Sequence, residues 1–126
     1  MAVKVLVVDD SPILRRMIAR TLEGGGLPVA ELREAADGSA ALEAMRDHAF
    51  DLVLMDVAMP NLDGISALRT LRAAPATRTT PVVIVSTEGS APRLAEIAEL
   101  GATFVRKPFT AEGLFDAIAQ AIRGAA

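Results

Sequence analysis

Four consecutive apolar residues, Leu52-Val53-Leu54-Met55, lie between two aspartates, Asp51 and Asp56. An apolar run this short, bounded by turn-favouring residues, suits a strand covered on both faces, as in a parallel sheet between helical layers. Val57 to Gly64, with Pro60, Asn61, Asp63 and Gly64, cannot extend it. Asp56 therefore ends a central strand, where open α/β sheets hold their ligands. Taken by itself, the strand leaves open that Asp56 only caps a loop.

The other runs settle the context. Val3 to Val8 is a buried strand ending in Asp9-Asp10. Ser11-Pro12 opens a helix: serine accepts from the first-turn N–H groups, and proline lacks an N–H that would go unpaired there. Ile13, Leu14, Met17, Ile18, Thr21 and Leu22 share a face, with Arg15, Arg16, Arg20 and Glu23 outward, until Gly24-Gly25-Gly26. A polar strand around Glu31 to Ala35 reads as an edge. Asp37-Gly38-Ser39 starts a second helix carrying Ala41, Leu42 and Met45 and expected to continue through Arg46 and His48. Ile65, Leu68 and Leu71 mark a third, followed by a loop from Ala73 to Pro81. Pro81 to Val85 is a fourth strand that ends at Ser86. Ala91-Pro92 opens a fourth helix with Leu94, Ile97 and Ala98 inward, ended by Gly101. Thr103-Phe104-Val105 is a short fifth strand leading into Arg106-Lys107-Pro108. From about Ala111 a last helix packs Leu114, Phe115, Ile118 and Ile122.

Strand-then-helix alternation with right-handed crossovers implies a doubly wound three-layer (βα)5 sandwich, read as one domain over residues 1–126. In the strand order 2-1-3-4-5, strands 1 and 3 are neighbours, which gathers Asp9, Asp10 and Asp56 at one edge of the sheet. Ser86 and Lys107, ending strands 4 and 5, flank them.

Composition narrows the chemistry. The chain has no cysteine, so disulfides and thiolate metal sites are excluded. No run approaches the ~20 apolar residues of a membrane span, and no signal peptide precedes the first strand, so a cytoplasmic location without membrane insertion is expected. A net charge of −3 with dispersed Arg and Glu offers no nucleic-acid surface. Lys4 and Lys107 are the only lysines, which gives weight to one at a strand end. Three clustered carboxylates repel one another, and a hard divalent cation relieves this; Mg²⁺, with Mn²⁺ as a substitute, suits carboxylates, a carbonyl and waters. Such an ion, a nearby ammonium and a carboxylate facing open space are equipped for phosphoryl transfer. Singly, Lys107 reads as an acid's partner and Ser86 as a cap; together, at matched strand ends, they argue for a functional site.

Val7-Val8-Asp9-Asp10, Leu54-Met55-Asp56, Met59-Pro60, Asp63-Gly64, Val85-Ser86-Thr87-Glu88, Gly101-Ala102 and Lys107-Pro108-Phe109 carry a specific resemblance. Over nearly its whole length the chain is similar to the receiver domain of two-component response regulators, particularly the single-domain chemotaxis type. The 2-1-3-4-5 order of this flavodoxin-like fold is the known order of the chemotaxis protein, so it rests on precedent. The resemblance implies that Asp56 is the phospho-acceptor and that Asp10 and Asp56 ligate Mg²⁺, with Asp9 acting through water and the Ala58 backbone carbonyl as a further ligand. Lys107 contacts the phosphoryl oxygens, Ser86 hydrogen-bonds one, Phe104 follows Ser86 inward, and the Lys107-Pro108 bond is cis. It further implies a phosphorylatable switch in place of an enzyme, charged by a histidine kinase or a histidine phosphotransfer protein. The output is a downstream protein target, reached through the face of the fourth helix, fifth strand and fifth helix.

Three positions depart from common patterns. Ala58 offers only a methyl beside the path of attacking water, Thr87 narrows access, and Phe104 lacks the hydroxyl of the frequent Tyr. His48 reads as a surface residue, Arg15-Arg16 as a solvated helix face, and Met17, Met45 and Met55 as core filler. The competing readings are a flavin-binding flavodoxin-like module, an aspartyl-phosphate phosphatase and a receiver excised from a longer regulator. Asp9-Asp10 repels a flavin phosphate, and a phosphatase of that kind carries Asp-x-Asp after strand 1. The excised-receiver reading stays open, since these residues are expected to hold the receiver alone.

Overall fold

The structure, a computed structural model, describes residues 2–125. Strands β1 (Val3–Val8), β2 (Val29–Ala35), β3 (Leu52–Met55), β4 (Val82–Ser86) and β5 (Thr103–Arg106) alternate with helices α1 (Pro12–Gly24), α2 (Gly38–Asp47), α3 (Gly64–Ala73), α4 (Ala91–Glu99) and α5 (Ala111–Ala125). The strands form one parallel sheet in the order β2-β1-β3-β4-β5.

Successive side chains of a strand point to opposite faces, so each strand feeds two cores. Leu6, Val8, Val53, Met55 and Ile84 pack with Ala41, Met45, Ile65, Leu68 and Ile97 on the side of α2, α3 and α4. Val5, Val7, Leu52, Leu54, Val83 and Val85 pack with Ile18, Leu22, Leu114 and Ile118 on the side of α1 and α5. All residues of β3 and β4 are buried, which explains their uninterrupted apolar runs. Each large aliphatic side chain so buried contributes about 1.5–3 kcal/mol.

The helices start where short polar side chains satisfy first-turn N–H groups. Ser11 Oγ accepts from Leu14 N at 3.2 Å, Asp37 Oδ1 from Ala40 N at 2.8 Å and Asp63 Oδ1 from Ser66 N at 2.8 Å. Asn61, with φ at 66°, donates its side-chain amide to Asp37 Oδ2 at 2.6 Å, tying the β3–α3 loop to the start of α2. No helix among the described residues is long and apolar enough to cross a membrane.

Several expectations are corrected. β2 begins at Val29, because Val3 pairs with Val29 and a register irregularity follows before Lys4 meets Glu31. α2 ends at Asp47, and His48 is its extended C-cap, exposed as expected. Ile13 and Met17 are not core: they are 70% and 49% exposed. α1 lies over the edge of the sheet, and Ile18 and Leu22 suffice to cover what is there. Ala98 and Ile122 also face outward, since Ile97 and Ile118 already fill the cores beneath their helices.

Candidate functional site

The carboxyl ends of β1, β3, β4 and β5 meet at one rim. Backbone hydrogen bonds hold the acid-bearing ends together: Asp9 N donates to Ala35 O at 3.1 Å and Asp56 N to Val8 O at 3.0 Å. Asp9 is 2% exposed, Asp56 8%, and Asp10 points outward. One carboxylate oxygen from each of the three lies within 4.8 Å of the others.

Lys107 ties the cluster. Its Nζ donates to Asp9 Oδ2 at 2.8 Å and to Asp56 Oδ2 at 3.1 Å. The remaining oxygens are held by the backbone: Asp9 Oδ1 accepts from Ser11 N at 2.9 Å and Asp56 Oδ1 from Val57 N at 2.7 Å. Burial, the largest single influence, pulls the Lys107 pKa down. The hydrogen bonds and charges of Asp9 and Asp56 together outweigh it, and the pKa lies above the ordinary lysine value. The ammonium is therefore charged at neutral pH. Lys107 N also donates to Ser86 O at 3.0 Å, which locks the ends of β4 and β5 side by side, and the Lys107-Pro108 peptide is cis.

Ser86 is 1% exposed, and its Oγ accepts from Glu88 N at 3.1 Å. Thr87 and Ala58 are exposed beside the rim, in the β4–α4 and β3–α3 loops. Phe104 is half-buried against the core on the α2–α4 side and does not reach the carboxylates' hydrogen-bond network.

Two contributors escape sequence reasoning. Arg15 is not a solvated surface residue: its side chain is 16% exposed, Nη1 donates to Asp9 O at 2.6 Å and Nε to Glu34 Oε1 at 2.7 Å. It braces the Asp9-Asp10 turn from α1, a link between distant segments that no local pattern reveals. Gly64, noticed as part of Asp63-Gly64, has a steric role. A Cβ there would sit 1.9 Å from Asp56 O, and Gly64 N donates to Val57 O at 2.9 Å, so α3 closes directly onto the backbone behind Asp56.

The family model for the response regulator receiver domain matches residues 5–119. The chain belongs to the response regulator receiver domain family. This receiver is 35% identical to the chemotaxis protein CheY of Bacillus subtilis over 119 residues, covering 94% of this chain and 96% of that one. It is 36% identical to CheY of Pseudomonas aeruginosa over 116 residues, covering 91% and 92%. The high-resolution structure of Vibrio cholerae CheY4 at low pH superposes with a TM-score of 0.84 at 34% identity, covering 96% of this receiver and 99% of that chain. A receiver of this type is a switch in two-component signalling, phosphorylated by a kinase and interacting with histidine kinases and downstream targets. Receivers bind Mg²⁺ at an acidic pocket, and the all-oxygen donor set of Asp9, Asp10 and Asp56 fits a hard divalent cation.

Proposed function

We propose that this receiver, acting as one phospho-receiver unit over residues 1–126, takes a phosphoryl group onto Asp56 from a histidine kinase or histidine phosphotransfer protein. The observation that carries the reading is the Lys107 ammonium shared between Asp9 and Asp56 at 2.8 and 3.1 Å, beside a cluster of three carboxylates. An Asp56 oxygen attacks phosphorus in line, the P–N bond of the donor breaks, and its electron pair leaves on the imidazole. Lys107 has three N–H donors and spends two on carboxylates, so one is free for a phosphoryl oxygen. The Ser86 hydroxyl accepts from Glu88 and retains its own proton to donate to a second oxygen. Asp10, Asp56 and the Ala58 carbonyl, with Asp9 through water, would hold Mg²⁺ or Mn²⁺, which would supply positive charge against the transferring group.

Phe104 follows Ser86 when that hydroxyl turns, and the α4-β5-α5 face presents the change to a protein target. The acidic, dispersed charge supports a cytoplasmic signalling role with neither nucleic-acid contact nor membrane insertion. The test is labelling with acetyl phosphate and with phosphorylated kinases, followed by hydroxylamine, which cleaves acyl phosphates. Wild type is expected to take a hydroxylamine-sensitive label and Asp56→Asn none. Full labelling of Asp56→Asn places the acceptor elsewhere and ends the proposal.

A further inference from the structure

The β4–α4 loop, residues 87–90, is held by groups outside the acidic cluster. Glu88 N donates to Ser86 Oγ at 3.1 Å, and Glu88 Oε1 accepts from Arg93 Nε at 3.1 Å. The next residue, Gly89, presents its carbonyl to Arg106 Nη2 at 3.2 Å. The same guanidinium lies over Phe104, with Cζ 5.5 Å from the ring centroid, within the range of a cation–π contact. A Cβ on Gly89 would come within 2.6 Å of Arg106 Nη2 and 2.9 Å of the tip of the Phe104 ring, so the loop backbone rests directly on both. Arg106 is the register partner of Ser86 across the β4-β5 pair, opposite the hydroxyl whose movement matters.

We propose that Arg106 is a positioning residue for the switch, clamping the β4–α4 loop and Phe104 in their resting arrangement through its bond to Gly89 and its seat on the ring. The proposal rests on Asp56 phosphorylation and adds how the resting state is maintained. A movement of Ser86 Oγ carries with it the hydrogen bond from Glu88 N, and Glu88 is followed at once by Gly89, whose carbonyl Arg106 holds. Phe104 has no hydroxyl with which to hold the loop itself. Arg106 supplies that link because a planar guanidinium can donate in its plane while presenting a face to the ring. A clamp that favours the resting state lowers the fraction of molecules competent for phosphorylation, and its removal raises that fraction.

Arg106 is exposed, so its replacement leaves both cores intact. In Arg106→Ala without any donor, the nuclear Overhauser contact between Gly89 and the Phe104 ring is expected to weaken. The rate of labelling by acetyl phosphate is expected to rise roughly fivefold to tenfold, the weight of one hydrogen bond and one cation–π contact. Arg106→Lys, which keeps the charge but cannot serve carbonyl and ring together, is expected to fall between wild type and Arg106→Ala in both measurements. An unchanged Gly89–Phe104 contact in Arg106→Ala overturns the clamp, as does a weakened contact with no gain in labelling rate. Should wild type take no label on Asp56, the phospho-acceptor reading fails; the Overhauser measurement, which needs no donor, still decides whether Arg106 holds the loop.

Discussion

Among the described residues, Lys107 is the sole cation in contact with two carboxylates that are almost wholly buried. Replacing it by Met leaves Asp9, 2% exposed, without its charge partner. Losing one member of a buried pair costs about 3–5 kcal/mol, which is expected as a lower melting temperature in metal-free buffer. The pH dependence has a definite sign. Because the folded-state pKa is raised, the stabilisation is complete below the ordinary value of 10.5 and disappears as pH climbs through the higher folded value. Melting of wild type should therefore fall more steeply than melting of Lys107→Met as pH rises from 10.5 through the folded value; parallel profiles there would contradict the raised pKa. Gly64 is the other decisive residue. Gly64→Ala places a methyl 1.9 Å from Asp56 O, which must displace α3 or Asp56. Such overpacking costs about 1–3 kcal/mol, and both the denaturation midpoint and acyl-phosphate labelling are expected to drop. Neither consequence is visible in the letters Asp63-Gly64, which announce a turn but not what the turn touches.

Among the elements, those with dense apolar runs were legible: β1 and β3 stand where Val3 to Val8 and Leu52 to Met55 indicate, and β4 starts at Val82, one residue after the expected Pro81, and ends at Ser86 as expected. Helix starts were legible too, because the capping chemistry is local. α3 is the exception: Asp63, read only as part of the loop after β3, caps the helix, and the Ser66 backbone N–H, the strongest influence, holds its carboxyl below the usual 3.8 against the opposing effect of desolvation. A depressed folded-state pKa means stabilisation present above the ordinary aspartate range and lost as pH falls through the folded value. Asp63→Ala is expected to cost about 1 kcal/mol at neutral pH, and less below the aspartate range, by chemical denaturation. An equal loss at both pH values would rule out ionised capping. The faces of α1 were less legible. Periodicity marks Ile13 and Met17 as apolar but cannot say where the sheet ends, and Ile13 lies 70% exposed beyond it. The end of α2 was missed for a similar reason, since nothing near His48 signals a stop as Gly24-Gly25-Gly26 does after α1.

At the scale of the molecule, the doubly wound topology puts two strands from distant parts of the chain side by side, β1 and β3, both ending in acids. Folding therefore concentrates negative charge at one rim, and a cation that binds only the folded form stabilises it by mass action. At 100 times its dissociation constant, Mg²⁺ is expected to add about 2.7 kcal/mol to wild type. Asp10→Asn removes an exposed carboxylate without disturbing the Lys107 bonds to Asp9 and Asp56, so it should fold normally and lose most of this increment. Melting curves across a Mg²⁺ series check this; the same upward shift in both proteins would mean that the ion binds elsewhere.

The sequence by itself determined the alternation of strands and helices, the starts of α1 and α2 and the identity of the residues at the strand ends, because each depends on neighbours a few positions apart. Its motifs were also specific enough to carry the family resemblance. Only the tertiary structure decided what those residues meet. Asp9 and Lys107 are 98 positions apart yet joined at 2.8 Å. Arg15 reaches the Asp9 carbonyl and Glu34, Gly64 closes on Asp56, and Arg106 joins Gly89 to Phe104. These contacts run between segments that chain connectivity leaves far apart, and their distances follow from how the two helical layers settle on the sheet, a cooperative outcome of packing that no local pattern encodes.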